Sequence, residues 1–207
     1  MRIIAGSARG RKLAAPTGPT DRSALIRPTS DRAREAIFSI LGPQRVKQAK
    51  VLDLFAGTGA FGLEALSRGA ALAVFVDSHS QPLGLIEQNR KACGFSDRSQ
   101  VYKRDLLKGL SFLRNCLCTS HGIPDAGSES FFDIIFIDPP YGSQQADFLL
   151  KEIVSNGLLA ENGLVIFEDR AVEELPEQAE GLGLTDRRKY GEAGFWFYQK
   201  FTWQDNE

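Results

Sequence analysis

Five short apolar segments, each followed by a stretch of helical spacing, decide what this chain can fold into from residue 50 onward. The segments are KVLDLF (50–55), LAVFVD (72–77), QVYKRD (100–105), FFDIIFIDPP (131–140) and GLVIFED (163–169). The intervening GAFGLEALSRG, QPLGLIEQNRKACG, LLKGLSFLRNCL and QADFLLKEIVSNG read as helices, the first closed by Gly69. Short β-branched runs that alternate with helices predict a parallel sheet covered on both faces. LTDRRKYGEAGFWFYQKF (184–201) reads as a closing strand pair, with Phe195, Trp196, Phe197 and Tyr198 as a core strand. The expected class is α/β, a mostly parallel seven-stranded sheet flanked by helices.

The first residues have another character. RIIAG and RKLAAP flank SARG, a glycine-bearing turn, and predict a basic β-hairpin. A Pro/Gly/Thr loop follows, and then a helix, DRAREAIFSIL, which Thr29 or Ser30 can cap. Ala33, Ile37, Phe38 and Leu41 lie on one of its faces. The expected division is therefore an N-terminal extension over 1–28 and one domain over 29–207. Residues 1–34 carry eight Arg/Lys against two acids, +6, while the whole chain is −1. A basic arm on an acidic body points to a polyanionic partner approached from one side. An odd three cysteines, no signal-peptide pattern in MRIIAGSARG and no apolar run of ~20 residues fit a cytoplasmic protein. Cys116, Cys118 and His121 do not have finger spacing, so no metal is expected. The segment TSHGIPDAGSES has no periodicity and reads as a loop.

After the first strand, DLFAGTGAFG places Gly57, Gly59 and Gly62 in G-x-G-x-x-G spacing, with Asp77 twenty residues beyond Gly57. Asp53 already stands at the strand's end, where it would repel a pyrophosphate. A carboxylate there suits an ammonium, which S-adenosylmethionine carries on its methionine part while lacking phosphate. The glycines allow close backbone approach, and Asp77 can accept from both ribose hydroxyls. Asp105, after strand three, could accept from an adenine amino group or could cap a helix. Ligands of open α/β sheets bind at the carboxyl ends of strands. Asp53, Asp77, Asp105 and Asp138 all fall there.

Asp138 opens DPPY, where prolines end the strand and fix the backbone. The lone pair of an exocyclic base amine is delocalised into its ring. A carboxylate taking one N–H and a rigid carbonyl taking the other would localise that pair and aim it. Asp138 and the Pro139 carbonyl provide both acceptors, and Tyr141 is placed to stack on the base.

DLFAGTG followed by a second acid and DPPY resembles the Rossmann-like S-adenosylmethionine-dependent methyltransferases that modify exocyclic amines. RIIAGSARGRKL, RPTSDRAREAIFSIL, GLEALSRGA and KYG narrow the resemblance to the bacterial 16S rRNA guanine-N2 methyltransferases of the RsmD type. The likeness runs from Arg2 to about Tyr198. It implies cofactor contacts at Asp53, Phe55, Gly57, Thr58, Gly59, Asp77 and Asp105, and catalysis at Asp138, Pro139, Pro140 and Tyr141. It implies rRNA contacts at Arg2, Arg9, Arg11, Lys12, Arg27 and Arg32. The partner it implies is 16S rRNA in the small subunit or an assembly intermediate, met by a monomer. IFEDR departs from the acid–serine pair common there. Because DPPY is shared with adenine-N6 methyltransferases of DNA or RNA, that reading stays open, as does a non-catalytic rRNA-binding assembly factor.

Overall fold

The computed structural model describes residues 1–16, 31–114, 132–140 and 145–201. Arg27, the helix-capping Thr29 and Ser30, the Cys116, Cys118 and His121 set, the 119–131 loop and Tyr141 lie outside the described residues.

The chain order is α1 (Asp31–Val46), β1 (Lys50–Leu54), α2 (Ala60–Ser67), β2 (Leu72–Asp77), α3 (Ser80–Cys93), β3 (Ser99–Lys103) and β4 (Phe132–Ile137). Then come α4 (Ala146–Ser155), β5 (Leu159–Arg170), β6 (Gln178–Ala179), β7 (Leu182–Tyr190) and β8 (Ala193–Lys200). They build one sheet of eight strands in the order β3-β2-β1-β4-β5-β8-β7-β6. The first five of these are mutually parallel and β8 inserts antiparallel between β5 and β7. The expected seven strands are present. The eighth, β6, is a two-residue edge pairing to Leu182 and Gly183, too short to carry a hydrophobic pattern.

Period-two alternation sorts the strand residues onto two cores. Val51, Phe75, Phe136 and Ile166 join Ile37, Phe38, Phe61 and Ile86 of α1, α2 and α3 on one face. Leu52, Val76, Ile137 and Phe167 join Leu110, Leu113 and the Leu149, Leu150 and Ile153 face of α4 on the other. The Phe38, Phe61 and Phe136 rings stack in series, with centroids 5.0 and 4.0 Å apart. Phe195, Trp196, Phe197 and Tyr198 are all buried, as a core strand requires.

Two local expectations change. LLKGLSFLRNCL is not one helix. It begins as a 3₁₀ turn, Leu106–Lys108, which Gly109 stops at φ 100° before residues 112–114 become helical. The basic hairpin is a single antiparallel bridge, Arg2 to Lys12, held by Ile3 N–H to the Arg11 carbonyl at 3.0 Å and Gly10 N–H to the Ile3 carbonyl at 2.9 Å. It lies against α2 rather than extending a sheet.

That cover explains α2, whose residues Ala60–Ser67 are buried throughout. A helix apolar on every side needs neighbours on every side. The sheet is one, and the arm is another. On the sheet side, a methyl on Gly62 would stand 2.4 Å from Phe75 Cε1 and 2.7 Å from Cζ. Gly62→Ala is therefore expected to cost about 1–3 kcal/mol through overpacking, despite alanine's better helix propensity. Urea unfolding would measure this, and an unchanged midpoint would mean that α2 moves freely off β2.

Candidate active site

β1 is followed by β2 and β3 on one side, and the chain then returns to β4 on β1's other side. The strand order thus reverses between β1 and β4, and open α/β sheets bind ligands in the crevice beyond such a point. Leu54 pairs with Ile137 in register, and the Asp138 N–H donates to the Leu54 carbonyl at 3.3 Å. The start of DPPY is thereby held beside the start of the glycine loop. Asp138 is half-buried, Pro139 buried and Pro140 exposed.

The loop leaves β1 through Phe55, which adopts φ 58°, a left-handed conformation unusual for a bulky residue. Backbone held this way costs roughly 1–3 kcal/mol and clusters at ligand sites. Ala56 N–H donates to the Val76 carbonyl at 3.1 Å, and Gly59 N–H to the Ala56 carbonyl at 2.7 Å. Gly59 sits at φ 74° as the residue before α2, where a methyl would also press on Phe75 and Ile86 at 3.2 and 3.3 Å.

Asp77 and Asp53 bond this loop and the first turn of α2, and Asp105 stands beyond the end of β3. Asp77, the last residue of β2, accepts Gly57 N–H through Oδ2 and His79 N–H through Oδ1, both at 3.0 Å. Asp53 is 2% exposed and accepts the Gly62 N–H at 3.0 Å through Oδ2. Burial pushes its carboxyl up to about 8; the Gly62 bond opposes this and the nearby Asp77 charge adds to it. Asp105 lies two residues beyond β3, and its Oδ1 caps the 3₁₀ turn by accepting Leu107 N–H at 3.1 Å. It also lines a cavity of about 510 Å³ with Ser78, Lys103, Arg104, Lys108 and Phe112. The capping reading of Asp105 is the one that the bond to Leu107 shows.

The donor set fits S-adenosylmethionine. Gly57 and Gly59 bring bare backbone to the strand ends where Asp53 and Asp77 stand, while Lys103, Arg104 and Lys108 line the cavity beside Asp105. A buried carboxylate whose ionisation is disfavoured gains when a cation arrives.

The raised Asp53 carboxyl has a consequence for pH. Native protein keeps a proton that unfolded chain, titrating near the ordinary value of about 3.9, has already lost. Stability of the ligand-free protein is therefore expected to fall as pH rises from about 4 to about 8, at up to about 1.4 kcal/mol per pH unit. Asp53→Asn should flatten that slope in thermal melts between pH 6 and 8. An equal slope in both proteins would show that Asp53 is ionised throughout.

The arm meets the site from the α2–α3 side. Arg2, Arg9, Arg11, Lys12 and Arg32 are exposed. Arg34, counted with them by charge, is not: it is fully buried, donating to the Arg2 carbonyl at 2.6 Å and to Asp31 at 3.0 Å. Glu64 Oε2 and Oε1 accept the N–H groups of Ile4 and Ala5 at 2.7 and 3.0 Å. Ser67 Oγ accepts Ala8 N–H at 3.0 Å and donates to the Ala5 carbonyl at 2.6 Å. Asn89 of α3 bonds both the arm and the loop. Sequence reasoning missed Glu64, Ser67 and Asn89. For Glu64 and Ser67 the available signal was polar residues set in GLEALS, a helix otherwise too apolar to face water.

The family described as Conserved hypothetical protein 95 matches residues 1–199. The chain belongs to that family. YlbH of Bacillus subtilis (strain 168), provisionally named an rRNA methyltransferase, is 36% identical over 200 residues, covering 97% of this chain and 99% of its own. Ribosomal RNA small subunit methyltransferase D of Escherichia coli (strain K12) is 32% identical, covering 97% and 90%. These relatives place the chain in the RsmD family of methyltransferases. The solved structure of yhhF from Escherichia coli, provisionally called a methyltransferase, has 30% identity and a TM-score of 0.74, covering 97% of each chain. SMU.776, solved with SAH and also provisionally called a methyltransferase, shares the fold at 18% identity and a TM-score of 0.61, covering 83% of this chain and 50% of its own. Among the described residues no helix is long and apolar enough to cross a membrane.

Proposed function

We propose that this chain transfers a methyl group from S-adenosylmethionine to the exocyclic N2 amine of a guanine in 16S rRNA, within the small subunit or an assembly intermediate. The observation that carries the reading is Asp138, tied by its own N–H to Leu54 beside a glycine loop that Asp77 and Asp53 bond. Membership of a methyltransferase family supports it. Asp53 would meet the cofactor's ammonium, Asp77 the ribose hydroxyls and Asp105 the adenine amine, with the backbone of Phe55, Gly57, Thr58 and Gly59 along its length. When bound, the cofactor supplies an electrophilic methyl on a sulfonium.

The chain's part is to make a poor nucleophile attack. Asp138 accepts one N–H of the amine and the Pro139 carbonyl accepts the other. Pro140 keeps that carbonyl rigid, and Tyr141 stacks on the flipped base. Nitrogen becomes positive as its new bond forms, so its proton leaves readily to Asp138 or to water. No strong base is required. Arg2, Arg9, Arg11, Lys12, Arg27 and Arg32 would neutralise rRNA phosphates. Residues 1–28 then act as an RNA-facing extension of a methyltransferase domain over 29–207, in a cytoplasmic monomer.

The deciding experiment is tritiated methyl transfer from S-adenosylmethionine to unmodified small subunits, followed by nucleoside digestion. The expected label is N2-methylguanosine. Label in N6-methyladenosine would keep the mechanism and overturn the substrate. No label on subunits, naked rRNA or DNA, with cofactor still bound, would point to an assembly factor.

A further inference from the structure

Asn89 is 1% exposed on α3 and spends its whole amide on two other segments. Its Oδ1 accepts Ala14 N–H at 2.7 Å. Its Nδ2 donates to the Ala14 carbonyl at 3.1 Å and to the Thr58 carbonyl at 3.0 Å. The acceptor role toward Ala14 N–H settles which amide end is oxygen, and both N–H hydrogens are then used. Ala14 belongs to the basic arm, while Thr58 lies between Gly57 and Gly59, at φ 55° and 74°, on the glycine loop. A second thread runs the same way, from Thr58 Oγ1 to Met1 Sδ at 3.6 Å. Glu64 and Ser67 also hold the arm, but from α2. Among the described residues, Asn89 is the side chain that hydrogen-bonds both the arm and the glycine loop.

We infer that Asn89 is a positioning residue that couples rRNA engagement by the arm to cofactor binding by the glycine loop. The inference rests on the reading of the arm as rRNA-facing. The Thr58–Gly59 peptide is held at its N–H by the Ala56 carbonyl at 2.7 Å and at its C=O by Asn89 Nδ2 at 3.0 Å, so Asn89 fixes the second end of a plane between two glycines. With the arm docked, Ala14 fixes the Asn89 amide, and the amide fixes Thr58. A cofactor lying on the loop favours that arrangement, and so favours the docked arm that grips phosphate. Linkage is reciprocal: whatever factor cofactor contributes to RNA affinity, RNA contributes to cofactor affinity.

The test is the affinity for unmodified small subunits at one fixed salt concentration, with and without saturating S-adenosylhomocysteine. Wild type is expected to bind about five-fold or more tightly with the cofactor product present. Asn89→Asp keeps the acceptor for Ala14 N–H but turns oxygen toward both carbonyls, and should bring the ratio to within about two-fold of one. Asn89→Ala reads the same ratio if the aspartate variant does not fold. Ser67→Ala loosens the arm without touching the loop, so it should weaken both affinities and retain the ratio. A wild-type ratio of one, or an undiminished ratio in the Asn89 variants, overturns the coupling. Replacing Arg9, Arg11 and Lys12 together by alanine separates the two ideas. If RNA affinity and its salt slope survive that change, the arm reading itself fails. If they drop while the Asn89 variants keep the wild-type ratio, the coupling alone is wrong.

Discussion

Asp138→Ala is expected to lower the single-turnover rate by about 10³-fold while the dissociation constant for S-adenosylmethionine stays within a few-fold. The size follows from what the carboxylate is asked to do. With Asp138 gone, the amine keeps the Pro139 carbonyl but loses the acceptor that draws its second hydrogen out of the ring plane. Its lone pair stays conjugated, and attack must then overcome that delocalisation unaided. The small effect on cofactor follows from position. Asp138 is held through its main-chain N–H to Leu54, a bond that alanine keeps, and the acids that bond the glycine segment are Asp53 and Asp77. Asp138→Asn retains one oxygen acceptor and should fall between the two proteins. A rate within about ten-fold of wild type for the alanine variant, with both substrates saturating, would remove Asp138 from the chemistry.

The placement of the strand-end acids and glycines was legible in the sequence because its signals are local. An acid after a β-branched run, a glycine turn and a proline stop each constrain their own few residues, so Asp53, Gly59, Asp77 and Asp138 could be placed before any fold was known. Even the ambiguity at Asp105 was informative, since one carboxylate both caps a turn and lines the cavity. LLKGLSFLRNCL misled because its apolar spacing suits a helix, while Gly109 in the left-handed region outweighs that pattern. The arm's docking was invisible for a different reason. Glu64 and Arg34 look like ordinary surface charges in a helical pattern. Only tertiary contact, across 59 and 60 residues of chain to Ala5 and Ile4, makes them interior. Charge counting therefore included Arg34 in the basic total of residues 1–34, whereas its charge is buried and holds the arm from beneath.

That buried pair carries the second large expectation. Glu64 and Arg34 are both 0% exposed, and Glu64 Oε2 stands 3.9 Å from Arg34 Nε. The same carboxylate takes Ile4 N–H, Ala5 N–H and, at 2.7 Å, Arg68 Nε. Glu64→Ala leaves the Arg34 guanidinium buried with Asp31 and the Arg2 carbonyl as its remaining partners. Breaking a buried ion pair from one side costs about 3–5 kcal/mol, because the other charge stays desolvated. Two arm N–H groups lose their acceptor as well, so the arm should detach. Urea unfolding is expected to show that loss with little dependence on salt, since a buried pair is poorly screened. RNA affinity should drop to the level of the protein lacking Arg9, Arg11 and Lys12 charge. Glu64→Gln, which keeps an oxygen for the arm but not the charge, should lose less of both. A loss below about 1 kcal/mol for Glu64→Ala would place the pair in the range of exposed ion pairs, and the arm would then owe its docking to Ser67 and Asn89 instead.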